Sequence, residues 1–249
     1  MFYILNFCYI IAIATFCAAL PQNVTKCHFG DEKCLVDSIN FVIKHYRKGI
    51  PEIGLGPIDV VNIADAPLIK SVHVGAFWLD VSLTNQANYG FENTTVTKVQ
   101  GLAKDPTSQT ITISGRIPSL VHRADFSASS HIWLVKMNMT GEATSEFLNL
   151  MFTLKLKVIL DFRNNKRYLR IYELTPSVEI DRWIIYLDGL FRENMDMTIT
   201  LNRVINERWI EIWNEWEPKV LKIFAGVFLS MVKDIFDRIS YDDLFLPDD

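Results

Sequence analysis

The sequence predicts an α+β fold, with antiparallel sheet through the middle of the chain, a long apolar helix after it and a short helix near the N-terminus. Three observations carry that reading. Between Leu68 and Leu190 several runs alternate apolar and polar side chains with a period of two. Over about the last sixty residues, apolar side chains recur at three- and four-residue steps instead. A shorter stretch from Leu35 to Tyr46 has the same helical spacing.

Residues 1–19, MFYILNFCYIIAIATFCAA, carry no charged side chain and end in Cys17-Ala18-Ala19, a small-x-small pattern suited to signal peptidase. They read as a secretory signal peptide. A run of roughly 19 apolar residues could also anchor in a membrane, but neither flank resembles an anchored topology. Cleavage removes Cys8 and Cys17, so Cys27 and Cys34 are the cysteines that remain. Two cysteines entering an oxidising compartment are most simply a disulfide. Closing so short a loop contributes about 2.5 kcal/mol in the chain-entropy model. A zinc site needs about four ligands and a redox site usually takes C-x-x-C, so neither suits this pair. Asn23, Asn93 and Asn138 each begin an Asn-x-Thr glycosylation acceptor, which agrees with secretion and places all three on the surface.

The first helix is carried by Leu35, Val36, Ile39, Val42, Ile43 and Tyr46, with charge on its other face. Lys44, His45, Arg47 and Lys48 suit its negative C-terminal end, and Gly49-Ile50-Pro51 stops it. Strand-like runs follow at residues 68–85, 110–117, 152–162, 167–174 and 177–190, and Asn164-Asn165 reads as a hairpin turn. The terminal helical pattern spans Met195–Glu217 and Pro218–Ile239, about 34 and 33 Å of helix. A compact globule of about 230 residues is roughly 45 Å across. Either the helix breaks at Pro218, a residue suited to a first turn, or the molecule is elongated and the sheet wraps the helix. Wrapping has a physical motive, because this helix is apolar around most of its circumference and asks for burial on several sides.

No linker, charge block or internal repeat divides residues 20–249, which predicts one domain. The formal charge of −4 argues against nucleic acid and offers no basic face to an anionic membrane. No G-x-S-x-G, H-E-x-x-H or P-loop occurs. His28, His45, His73, His122 and His131 are scattered and read as ordinary surface or core histidines. No enzyme, metal site or cofactor is therefore expected.

The aromatic residues are more informative. Trp78, Trp133, Phe152 and Trp183 lie on strand-like runs. Trp209, Trp213, Trp216, Phe224 and Phe228 lie on the terminal helix. Singly, each could fill solid core; as a set they suit the walls of a cavity. Met231, with Met151, Met195 and Met197, adds soft surface that tolerates varied ligand shapes. Tyr46, Ser82, Thr84, Asn149 and Tyr186 are the candidate polar donors.

Cys27-x6-Cys34-Leu35, Gly49-Ile50-Pro51-Glu52 and Gly54-Leu55-Gly56-Pro57-Ile58-Asp59 resemble the N-terminal signature of the takeout / juvenile hormone binding protein family of insects. Tyr89-Gly90-Phe91-Glu92-Asn93 is similar to its "YGLSNF" strand entry. Tyr186-Leu187-Asp188-Gly189-Leu190-Phe191 with Asn202-Arg203 and Asn206-Glu207-Arg208-Trp209 resembles its "LDNLF…NRFLNENW" block, and Tyr241-Asp242-Asp243-Leu244-Phe245 its terminal "PYDELF". Val60 and Ser240 stand where the family usually has Pro, changes expected to alter loops and not the fold. One disulfide resembles the takeout branch. The resemblance implies a tubular lipid-binding fold, a highly curved antiparallel sheet around a long helix with an apolar channel, and a disulfide that ties the N-terminal arm near a channel mouth.

The expected function is a secreted, monomeric carrier of a small hydrophobic ligand, a terpenoid such as juvenile hormone or a fatty-acid-like lipid, with these nine aromatics, Tyr46, Tyr186 and Met231 in its channel. The rival is a secreted interaction or signalling protein whose core is filled. An esterase would need a nucleophile and base that the sequence does not offer.

Overall fold

A computed structural model describes residues 19–63, 72–74, 77–132, 135–191 and 194–247. The expected signal peptide lies outside these residues except for Ala19, as do Trp133 and parts of the first strand-like run. The described residues hold helices α1 (Glu32–His45), α2 (Met195–Glu207) and α3 (Trp209–Arg238). Their strands are β1 (Val60–Asn62), β2 (Val72–Val74), β3 (Phe77–Tyr89), β4 (Thr95–Gln100), β5 (Ile111–Ile132), β6 (Val135–Arg163), β7 (Lys166–Glu179) and β8 (Arg182–Leu187).

All eight strands form one antiparallel sheet built on the β5–β6 ribbon, in register from Ile111↔Leu156 to Ile132↔Val135. Strand β6 alone has 29 residues. Drawn out flat it would reach roughly 95 Å, about twice the diameter of a globule of this size, so the sheet curls. Each flank of the ribbon carries two shorter strands end to end: β3 then β4 along β5, and β8 then β7 along β6. The interruptions lie level with each other. Tyr89 pairs with Val121 and Thr95 with Arg116, while Arg182 pairs with Leu148 and Glu179 with Met151; across the ribbon Ile117 pairs with Leu150 and Ser119 with Leu148. At this level Gly90 has φ 110°, and a Cβ there would stand 2.2 Å from the Ser119 carbonyl oxygen. Only glycine accommodates both demands. The sheet order ends at β1 and β7 without joining them, so the curl stays open.

The inward residues of β5 beyond Leu120 include His122, Ala124, Phe126 and Ala128. Alternation is present, but small and polar side chains occupy several inward positions. Hydropathy therefore marks the strand only to Ile117, and the ribbon from 118 to 151 extends the expected strands. The run 177–190 divides at Ile180-Asp181 into β7 and β8, where the Asp181 N–H donates to the Leu148 carbonyl at 3.1 Å. The Asn164-Asn165 turn forms as expected, with φ of 49° and 62°, both positive as a type I′ hairpin requires.

Helices dock on strand edges through asparagines. Asn40 of α1 accepts from the Val96 N–H and donates to its carbonyl, each at 2.8 Å, on the free edge of β4. Asn202 and Asn206 of α2 do the same for Leu187 and Ile185 of β8. Edge groups that would otherwise be exposed or unsatisfied are thereby paired.

This docking explains where the C-terminal helix breaks. The bend falls at Arg208 (φ −108°, ψ 24°), not at Pro218, which sits inside α3. Up to Asn206 the chain is held along the edge of β8; α3 has to leave that line to pack against β7 and β8. Its 30 residues give about 45 Å of helix.

The segment around Cys27 meets the segment from Tyr241 to Leu246. Asp31 caps α1 by accepting from the Cys34 N–H at 3.0 Å, and the Cys27–Cys34 disulfide forms. The Cys27 carbonyl accepts from Leu246 N–H at 2.9 Å. Tyr241 is buried and donates to the Ala103 carbonyl, while Arg167 pairs with Asp242 beside it. Among the described residues no helix is long and apolar enough to cross a membrane.

Candidate functional site

Two cavities lie between α3 and the concave face of the sheet, one on each side of the level where the flanking strands break. The larger has a volume of about 340 Å³ and is walled by β4, the first part of β5, the second part of β6, β7, α1 and the C-terminal half of α3. Its lining is almost wholly aliphatic and aromatic, with Thr25, Ser38 and Thr94 among the few polar side chains. The disulfide sits at its wall: Cys27 is buried and lines it together with Tyr241, Leu244 and Phe245. Phe29 stacks on Phe245 at 4.4 Å and tilts against Tyr241 at 5.7 Å, so the staple, the N-terminal arm and the C-terminal tail close this end as one packed unit.

The smaller cavity, about 140 Å³, is walled by β3, the far part of β5, β6, β8 and the N-terminal half of α3. Trp183, Trp213 and Phe147 form an aromatic corner, the two indoles edge to face at 5.6 Å and Phe147 stacked on Trp183 at 5.7 Å. Phe91 and Phe224 line both cavities. Their rings are 6.3 Å apart, and Phe152, which lines the larger cavity, also lies 6.3 Å from Phe224, so three phenylalanines form the partition.

The polar side of the smaller cavity was not among the expected donors. Asn88, His122 and Ser145 line it, and they are direct cross-strand partners on β3, β5 and β6. Paired residues project from the same face of a sheet, which brings the three together. Gln86 adds its amide, with Oε1 at 3.3 Å from His122 Nε2. Burial holds the His122 imidazole below its ordinary pKa of 6.5, so the ring is neutral near pH 7.

Of the expected residues, Trp183, Trp213, Trp216 and Phe224 line the smaller cavity, and Phe152, Phe224, Phe228 and Met231 the larger. Three expectations are corrected. Tyr186 is 52% exposed, because it alternates outward from β8 while Trp183 points in. Tyr46 lies past the end of α1, packed among Ile50, Ile53 and their neighbours, and its hydroxyl donates to Asn23 Oδ1. Trp209 packs on the core beneath the Arg182 guanidinium, 5.6 Å from its ring centre, and lines neither cavity. Trp78 pairs through its backbone with His73 and His131; its side chain lies outside the described residues. Met151, Met195 and Met197 are exposed. Ser82 and Thr84 face outward, and Asn149 is engaged with Arg116 and Asp181. Asn23, Asn93 and Asn138 are all exposed. Among the described residues no cluster of three or more His, Cys, Asp or Glu could hold a metal.

Comparison with known proteins agrees with this architecture. The crystal structure of Epiphyas postvittana Takeout 1 superposes with a TM-score of 0.70 over 86% of this chain and 96% of that one, at 16% identity. The circadian clock-controlled protein daywake of Drosophila melanogaster is 22% identical over 234 residues, covering 90% of this chain and 88% of the relative. Its Drosophila yakuba counterpart is 20% identical over 228 residues, with the same shares covered. The family model described as haemolymph juvenile hormone binding protein matches residues 6–246. Curled sheet, long helix and sequence match together establish that the chain belongs to the haemolymph juvenile hormone binding protein family, whose members bind small hydrophobic ligands.

Proposed function

We propose that this protein is a secreted carrier that shields a small hydrophobic molecule, a terpenoid such as juvenile hormone or a fatty-acid-like lipid, between α3 and the sheet. The observation that carries the reading is the larger cavity, about 340 Å³ with an almost entirely apolar lining. Sites for small molecules run from roughly 300 to 1,000 Å³. A ligand hiding about 400 Å² of apolar surface gains roughly 10 kcal/mol, of which several are lost to immobilisation. Micromolar to nanomolar affinity then needs no ion pair. Such an interior favours the carrier over an interaction protein with a filled core.

Secretion is supported by the apolar residues 1–19, the Cys27–Cys34 disulfide and the exposure of Asn23, Asn93 and Asn138 as glycan acceptors. The carrier acts as a monomer, with no nucleic acid partner, no membrane insertion and no catalytic step. The test is native mass spectrometry and solvent extraction of protein purified from its source, followed by tryptophan quenching with terpenoids and fatty acids. A co-purifying lipid and saturable quenching are expected. An empty protein that no lipid quenches would overturn the reading.

A further inference from the structure

Two side chains that line the smaller cavity carry donors that the rest of the fold leaves unpartnered. Gln86 is 2% exposed and Trp183 5% exposed, and neither Gln86 Nε2 nor Trp183 Nε1 finds a hydrogen-bond partner among the described residues. Leaving a buried donor unpaired is unfavourable, so two of them lining one small apolar chamber call for an explanation. Both are donors only; neither atom can accept. The Gln86 amide is oriented by His122, whose Nε2 faces its Oε1, and for that contact to be a hydrogen bond the ring must carry its proton on Nε2. With the carbonyl side so occupied, the amide nitrogen is the half of Gln86 left without a partner.

We infer that the smaller cavity is a head-group subsite, in which Gln86 Nε2 and Trp183 Nε1 donate to a neutral carbonyl oxygen, as in an ester or ketone, at one end of an apolar ligand. This rests on the carrier reading and adds to it the chemical class of the ligand's polar end. Neutrality follows from what surrounds the donors. Lys219 is the charged side chain among the described lining residues; it is exposed, with Nζ 5.2 Å from the face of Trp216. A carboxylate carried past it to Gln86 would be desolvated without a cation, whereas a carbonyl gives up little water and gains both donors. The aromatic corner of Trp183, Trp213 and Phe147 packs the group next to that oxygen. The apolar remainder of the ligand faces the Phe91–Phe224 partition, beyond which the larger cavity begins.

The test uses the full mature chain, disulfide intact, and a series of one chain length: methyl palmitate, 2-heptadecanone, palmitate and heptadecane. Affinities are read by displacement of a fluorescent lipid, and ligand-induced shifts in Tm are read in parallel. The ester and the ketone should bind about tenfold more tightly than the hydrocarbon, the scale of one satisfied buried donor. Gln86→Leu and Trp183→Phe should each reduce the ester-to-hydrocarbon ratio several-fold. Gln86→Leu removes an unpartnered donor together with the acceptor that faces His122 Nε2, so its affinity for heptadecane, which needs no donor, should hold, and this separates lost recognition from lost folding. Equal affinity for ester and hydrocarbon, an unchanged ratio in Gln86→Leu, or preference for palmitate that Lys219→Met abolishes would each overturn the head-group assignment while leaving the carrier intact. Failure of the whole series to bind would overturn both.

Discussion

Asn202 grips Leu187 from both sides: its Oδ1 accepts from the Leu187 N–H at 2.8 Å and its Nδ2 donates to the Leu187 carbonyl at 2.9 Å. One side chain thus does for β8 what a further strand would do. Four residues along α2, Asn206 repeats the arrangement on Ile185. Asn202→Leu keeps the bulk and strands two half-buried backbone groups, which should cost roughly 2–4 kcal/mol. For a domain of this size that lowers Tm by about 4–16 °C, measured by calorimetry. A shift under one degree would mean that Asn206 and the apolar contacts hold α2 without help from Asn202.

Phe224 stands between the two chambers, so Phe224→Asp would place a carboxylate in contact with both. Ligand uptake or folding should be lost, because an isolated buried charge is strongly disfavoured. Quenching titrations and circular dichroism distinguish the two outcomes. Normal melting together with normal binding would show that this helix face does not border the interior.

Breaking the staple should act locally and at a distance. Cys27→Ser with Cys34→Ser is expected to cost roughly 2–3 kcal/mol. Hydrogen exchange should quicken in α1 and also at Leu246, whose N–H is received by the Cys27 carbonyl. Exchange confined to the loop between the two cysteines would refute the coupling of these two segments.

His122 makes stability depend on pH. Its pKa is depressed in the fold by burial, so below 6.5 the unfolded chain binds more protons than the folded one. Stability is therefore complete above 6.5 and is lost as the pH falls from there. Asp242, held below 3.8 by its hydrogen bond to Arg167, contributes the same sign only at much lower pH. Urea unfolding between about pH 7.5 and about pH 5.5 should show a decline that His122→Asn flattens. An equal decline in that variant would remove the imidazole as its cause.

Helix α1 was legible because its burial and its hydropathy share one period, and Asn164-Asn165 because two positive φ values leave few residues to choose from. The break at Arg208 was not. The apolar pattern runs through it, and what bends the chain is the backbone of β8, a partner that no local window contains. The polar half of the β5–β6 ribbon was missed for a related reason: His122, Ala124 and Ala128 face inward without hydropathic contrast. Gln86 and His122 stand 36 positions apart and meet through strand register alone. The available signal was a polar pair, Gln86 and Asn88, closing a strand otherwise rich in apolar residues.

The open edge of the curl has a mechanical consequence. A closed barrel has its girth fixed by strand number and stagger, so its bore can change only by breaking hydrogen bonds. Here β1 and β7 are not joined, and the calibre is set instead by how far one long helix stands off its cradle. Cargoes of unequal width can then be seated by sliding side chains past one another, with the ladder left whole.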